Sequence, residues 1–265
     1  MRKYLSLFKS HLSVSLDYRA DLIGTFILEL LSVGSAIILW FAIYRTNEDV
    51  GGYSLEEVVL YYVLVPFVGF LTSVDVSRKL AQSVRNGSLS NQLLKPYKIW
   101  LDALMEALSK KVVYLSISLP LYVLFLFLGI NARVLSPYIL SIQSLLLGFS
   151  FIVLAFLLHF FLDLFVSWLA FWFSDIWSFK HFKRIVFAML GGVSFPFDLL
   201  PANVRAFFEL LPFKYFYFTP ISYLLGKGTN VLKDILLLLF WFLVFVLLTN
   251  LIWRRGIKKY EAYGN

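Results

Sequence analysis

From Leu22 to Tyr44 the chain runs 23 residues with Glu29 as its one charged side chain, and comparable apolar runs recur through the rest of the sequence. A helix of about 20 apolar residues crosses the hydrocarbon core of a bilayer, and a helix satisfies its own backbone hydrogen bonds there. Composition agrees: 60% of residues are apolar, 15% are charged and the mean hydropathy is +0.80, whereas a soluble domain carries roughly 25% charged residues. These values exclude a soluble globule, a disordered chain and a fibrous one. The 265 residues accommodate about six crossings with their loops, leaving no space for a soluble catalytic domain. The sequence therefore predicts an all-α polytopic membrane protein, a single transmembrane domain over residues 1–265.

The six expected spans are residues 22–44, 58–74, 112–130, 140–173, 177–195 and 231–253. The fourth is read as one long tilted helix, because no Pro or Gly pair breaks it. The start of the fifth is crowded by Lys180, Lys183 and Arg184. Orientation follows from the basic residues, which gather in cytoplasmic loops. With the N-terminus inside, the inner segments hold 18 of the 24 Lys and Arg, leaving 6 outside. Both termini are therefore expected in the cytoplasm of a bacterial cell, with the protein in its inner membrane. Residues 1–21 hold no continuous apolar core, so no cleavable signal peptide is expected. The net charge of +8 reflects these inner loops, not a nucleic-acid partner. The chain has no Cys and three scattered His, which removes disulfides, thiol chemistry and Cys- or His-rich metal sites.

Three segments are neither span nor plain loop. In residues 1–20, Leu5, Phe8, Leu12 and Leu16 recur at helical spacing, as in a helix lying on the membrane surface; a polar lead-in to the first span is the alternative. The inner loop, residues 75–111, contains a short amphipathic helix with Val76, Leu80 and Val84 on one face and Arg78, Lys79, Gln82 and Arg85 on the other, stopped by Asn86-Gly87. A basic surface of this kind suits a cytoplasmic partner or anionic membrane lipid. Outside, residues 196–230 are apolar and aromatic despite Pro196, Pro201, Pro212 and Pro220. They are expected as short helices in the interface, one of them started by Asn203.

Glu29 lies about 12 Å into its span at 1.5 Å per residue, where an unpaired carboxylate costs on the order of several kcal/mol. It either lines a polar substrate path or makes a structural hydrogen bond. His159 and Asp163 stand four apart on one helix face, as a local interfacial pair. The one Gly-Lys, Gly226-Lys227, lacks the spacing of a phosphate loop, so ATP hydrolysis is not expected of this chain.

The order of these parts resembles the permease subunits of type-2 ABC exporters over essentially the whole chain. It is most similar to a bacterial subgroup described as uncharacterised or viologen- and drug-export-like. The matching pieces are Tyr18-Arg19, Gly52-Tyr53-Ser54-Leu55, Arg85-Asn86-Gly87-Ser88-Leu89, Leu93-Leu94-Lys95-Pro96, and then Gly192, Pro196, Pro201, Leu211-Pro212-Phe213 and Pro220. The resemblance implies a non-enzymatic permease that pairs with a second permease subunit, homologous or identical, and with a cytoplasmic ABC ATPase dimer. ATP and Mg would be bound by that ATPase, and no cofactor by this chain. Asp75 to Arg85 would be the coupling helix, with Asp75, Arg78, Lys79, Val84, Arg85 and Gly87 contacting the ATPase. Pro196, Pro201, Phe207 and Phe208 would close the exit, and Glu29 is the substrate-path candidate. The implied cargo is amphipathic, drug-like or lipid-linked. Two other classes remain as alternatives. A proton-coupled secondary transporter predicts internal repeats, and none is found. A membrane-integral lipid-handling enzyme needs a His or acidic cluster at one depth, which the sequence lacks.

Overall fold

The structure is a computed structural model that describes residues 2–17, 19–46, 49–131, 141–173 and 176–260. Tyr18 and the tip of the loop between spans three and four lie outside the described residues. Among those described, the chain is helical, with no strand: α1 (Arg2–Asp17), α2 (Arg19–Ile43), α3 (Leu55–Thr72), α4 (Ser77–Arg85), α5 (Leu89–Leu93), α6 (Ile99–Asn131), α7 (Ile142–Trp168), α8 (Trp177–Leu190), α9 (Ala202–Leu210), α10 (Phe218–Leu224) and α11 (Val231–Lys259).

Local chemistry sets several boundaries. Ser54 starts α3 with a capping box: its hydroxyl accepts from Glu57 N–H while Glu57 Oε2 accepts from Ser54 N–H. Ser141 caps α7 and Asn230 caps α11, each through a side-chain oxygen that accepts from the amide three residues on. Four helical stretches, Leu55–Arg85, Ile99–Leu124, Ile142–Phe171 and Val231–Lys259, are long and apolar enough to cross a membrane, and Ile27–Ile43 is a shorter apolar one. The stripe expected before span three and span three itself form one helix: α6 has 33 residues, about 50 Å. That exceeds a hydrocarbon core of about 30 Å, so α6 projects beyond it at the end that carries α4. There α1 lies along α6, joined by His11 to Asp102 at 2.8 Å and Ser15 to Ser109 at 3.3 Å.

α7 is the hub, packed by α3, α4, α10 and α11. Two segments depart from expectation. The fifth apolar segment is helical only over α8, 14 residues, about 21 Å, because the chain turns at Gly191-Gly192, where Gly192 has φ +90°. The segment expected as short interfacial helices also packs in part into the bundle. Pro212 ends α9, and the chain re-enters the bundle over residues 212–225, burying Tyr215, Phe216, Ile221 and Leu224. Thr72 at the end of α3 donates to the Phe216 carbonyl at 2.8 Å, and Tyr61 to the Gly192 carbonyl at 2.6 Å. The Phe216 ring stacks on Phe187 of α8. Apolar aromatics seated against three helices remove more surface from water and lipid-headgroup contact than an interfacial helix would.

A side chain at Gly192 would need a left-handed backbone and would meet Phe218 and the Tyr61 hydroxyl. Gly192→Ala is expected to lower stability by roughly 1–3 kcal/mol, read as a lower melting temperature in detergent. Gly34→Ala, in open space on α2, is expected to leave it unchanged or raised.

Candidate functional site

The amphipathic stripe of the inner loop lies on α4. Its apolar residues, with Val76 just before it, pack into a cluster with Phe156, Phe160, Leu164 and Trp168 of α7. Arg78, Lys79, Gln82 and Arg85 are exposed. Val84 is 8% exposed and packs on the bundle side of α4. Asp75 is exposed beside the helix start, and Gly87 makes the turn after it with φ +78°. Tyr260, just past α11, donates to the Gly87 carbonyl at 2.7 Å and fixes that turn. Lys79 reaches Glu106 of α6 at 2.6 Å, which ties α4 sideways to the projecting part of α6.

The start of α4 has no side-chain cap of its own, since Val76 occupies that position. A carboxylate from another helix supplies one. Asp163, wholly buried on α7, accepts from Val76 N–H at 2.8 Å and Ser77 N–H at 2.9 Å through Oδ2. Its Oδ1 pairs with the Lys183 ammonium of α8. The negative charge thus satisfies orphan amides at a helix N-terminus and is favoured by the helix dipole. Lys183 also lies 3.3 Å from His159 Nε2 and 3.4 Å from the Val74 carbonyl. The interfacial His159–Asp163 pair expected from the sequence is replaced by a buried arrangement in which both meet Lys183. A carboxylate this deep requires partners, and spacing along one helix could not reveal that they come from α4 and α8.

Glu29 lines a cavity of about 800 Å³ together with Trp40, Tyr62, Phe70, Arg184 and Tyr217. Its Oε2 is buried without a hydrogen-bond partner, and the Lys111 ammonium of α6 interacts with it electrostatically. Lys111 in turn donates to the Phe70 carbonyl and lies over the Phe70 ring. The structural-bond reading of Glu29 finds no partner for that oxygen among the described residues.

At the opposite end, charges knit the outer helices together. Tyr53 donates to Asp198 at 2.7 Å, Asp198 pairs with Arg205 at 2.7 Å, Arg205 with Glu209 at 2.8 Å and Glu209 with Lys233 at 3.1 Å. Burial and the Asp198 charge hold the Tyr53 hydroxyl well above its usual pKa. Burial acts to raise the Glu209 carboxyl, but the hydrogen bonds from Arg205 and Lys233 prevail and leave it below the ordinary carboxylate range. Of the residues expected at the exit, Pro196 is buried and Pro201 is exposed. Phe208 packs on Phe197 with centroids 5.8 Å apart, and Phe207 is 61% exposed. Pro201 accepts from the Arg205 N–H within this region, and none of the four lines the cavity that holds Glu29.

Four apolar helices long enough to cross a membrane, with a basic amphipathic helix fixed at one end, define a polytopic membrane protein. Residues 30–264 match the sequence model of a family described as ABC-2 family transporter protein, and the chain belongs to that family. It is accordingly a permease subunit of an ABC transporter. No curated protein matches the chain closely enough to count as a relative.

Removing one partner of a buried ion pair leaves the other uncompensated. Asp163→Ala is therefore expected to destabilise the protein by about 3–5 kcal/mol, measured by thermal unfolding in detergent. Asp163→Asn combined with Lys183→Gln, which removes both charges together, is expected to lose clearly less.

Proposed function

We propose that this permease exports an amphipathic, drug-like or lipid-linked substrate across the bacterial inner membrane, and that α4 is the helix on which a cytoplasmic ABC ATPase docks. The observation that carries the reading is the division of α4. One face is fixed to α7, and the other offers Arg78, Lys79, Gln82 and Arg85 at the end of the bundle where α6 projects. ATP and Mg belong to the ATPase, and a second permease subunit, identical or homologous, completes the transporter. In this reading both termini are cytoplasmic and the chain crosses six times. α2 makes one of the crossings, and α8 with the re-entrant segment makes the fifth. Pro196, Pro201, Phe207 and Phe208 sit at the exit, and the cavity lined by Glu29 is part of the route. The drug-export-like subgroup is the variant of the family that the motifs favour.

Because the chain has no Cys, single cysteines report topology without background. A cysteine at exposed Asn203 should react with an impermeant thiol reagent in intact cells, and one at Ser88 should not. Reaction at Ser88 overturns the orientation. Arg78→Glu, on the exposed face of α4, should reduce recovery of the ATPase with the permease severalfold while the permease still accumulates; unchanged recovery overturns the docking role.

Glu29 separates path from scaffold. Glu29→Gln keeps shape and hydrogen-bonding capacity, so melting temperature should hold while transport falls, most for cationic cargo. Glu29→Leu should transport less still and be at least as stable, since it removes a desolvation cost. A fully active Gln variant beside a Leu variant destabilised by about 1–3 kcal/mol would sink the path assignment.

A further inference from the structure

We propose that Asp163 and Lys183 are positioning residues that transmit movement of α4 to the re-entrant segment at residues 212–225; the inference rests on the reading of α4 as the ATPase-docking helix. The geometry leaves few intermediaries. Asp163 holds two amides at the start of α4, so a displacement of α4 acts on a carboxylate that belongs to α7. The same carboxylate holds Lys183, which fixes α8. One turn along α8, Phe187 stacks on Phe216 at 4.4 Å, and His159, one turn along α7 from Asp163, lies 4.9 Å from the same Phe216 ring. Phe216 is fully buried, and its carbonyl is held by Thr72 at the end of α3. The tip of the re-entrant segment thus rests on the two residues that flank the ion pair. Beyond that tip, Phe218 N–H donates to the Gly191 carbonyl at 3.0 Å, which joins the segment to the turn ending α8. A flexible or solvated link would absorb a displacement. A mostly buried ion pair with two further amide bonds is short and directional, so it moves with its helix.

The carboxylate and ammonium have no place on the exposed docking face and are remote from the exit, so their loss should separate docking from transport. The reporter is Ser194→Cys in the Cys-free chain, since Ser194 is exposed, lines the Glu29 cavity and follows Gly192. Its rate of reaction with an impermeant maleimide is measured in membranes containing the assembled transporter, without nucleotide and with ATP and vanadate. With the native pair, nucleotide should change the rate. In Asp163→Asn/Lys183→Gln the ATPase should still be recovered with the permease. The nucleotide-dependent change should shrink at least about fivefold, the lower end of coupling between two sites, with transport falling in parallel. If the double variant does not accumulate, Lys183→Gln alone leaves both amide bonds to Asp163 and is judged by the same ratio. An undiminished nucleotide response with normal transport overturns the inference, as does a nucleotide-insensitive Ser194 site with the native pair. Failure of the docking reading is seen separately, as ATPase recovery that ignores Arg78→Glu.

Discussion

Asp163 is a carboxylate with no access to solvent in a helix that carries no other Asp, Glu, Lys or Arg. That constraint organises one end of the molecule. An ionised group there is tolerated only with its partners in place, and the partners come from two other elements, the backbone at the start of α4 and the Lys183 side chain on α8. Three elements distant in sequence are thereby held in one relation. Apolar packing of Leu80 and Val84 fixes which face of α4 is turned inward. The carboxylate fixes where α4 begins and how it is oriented along its axis, which non-directional burial cannot do. A nine-residue helix with no cap of its own would otherwise be marginal.

The extent to which this was legible in the sequence follows from the range of each force. Hydrophobic periodicity is local, so the faces of α4 and the apolar runs of α3, α7 and α11 could be read directly. Helix continuity past Lys110-Lys111 could not. Lys110 turns to Glu106 one turn earlier, while Lys111 reaches the Phe70 carbonyl on α3, so α6 passes through a pair of cations that reads as a boundary. Asp163 reads from the sequence as half of a local pair with His159, but its partners lie 20 residues away on α8 and more than 80 residues back on α4, and periodicity carries no information at that distance. Lys183 was seen only as a cation that spoils a span. The re-entrant path was hidden for the opposite reason. Aromatic residues suit an interface and a core equally well, and the choice between them depends on whether α3, α7 and α8 leave a seat for Phe216.

The seat exists because α8 is short. A helix crossing the full bilayer would fill the space beside α3 and α7 to their outer ends. α8 instead stops at the Gly191-Gly192 turn, and the returning chain from Pro212 occupies the volume above it. Gly69 on α3 is part of the same fit: a Cβ there would collide with the Tyr217 ring. Two close approaches that only glycine allows, at Gly69 and Gly192, therefore frame the segment, so its depth is set by backbone geometry as well as by aromatic burial.

The two ends of the molecule are held by ion pairs of different kinds. The outer chain through Asp198, Arg205, Glu209 and Lys233 is partly solvent-exposed, with Lys233 about half open. Pairs of that sort contribute about 0–1 kcal/mol each and weaken with salt. The Asp163–Lys183 pair has a wholly buried carboxylate, hydrogen-bonded on both oxygens, and a mostly buried ammonium, so it is screened far less. A load applied at α4 therefore meets a stiff contact first and a compliant one last. The helices around α9 are joined by partly exposed pairs that exchange at little cost, whereas the buried contact holds its three elements as a unit. That difference places the compliant part of the structure around α9 and the turn at Gly192, and the rigid part where α4, α7 and α8 meet.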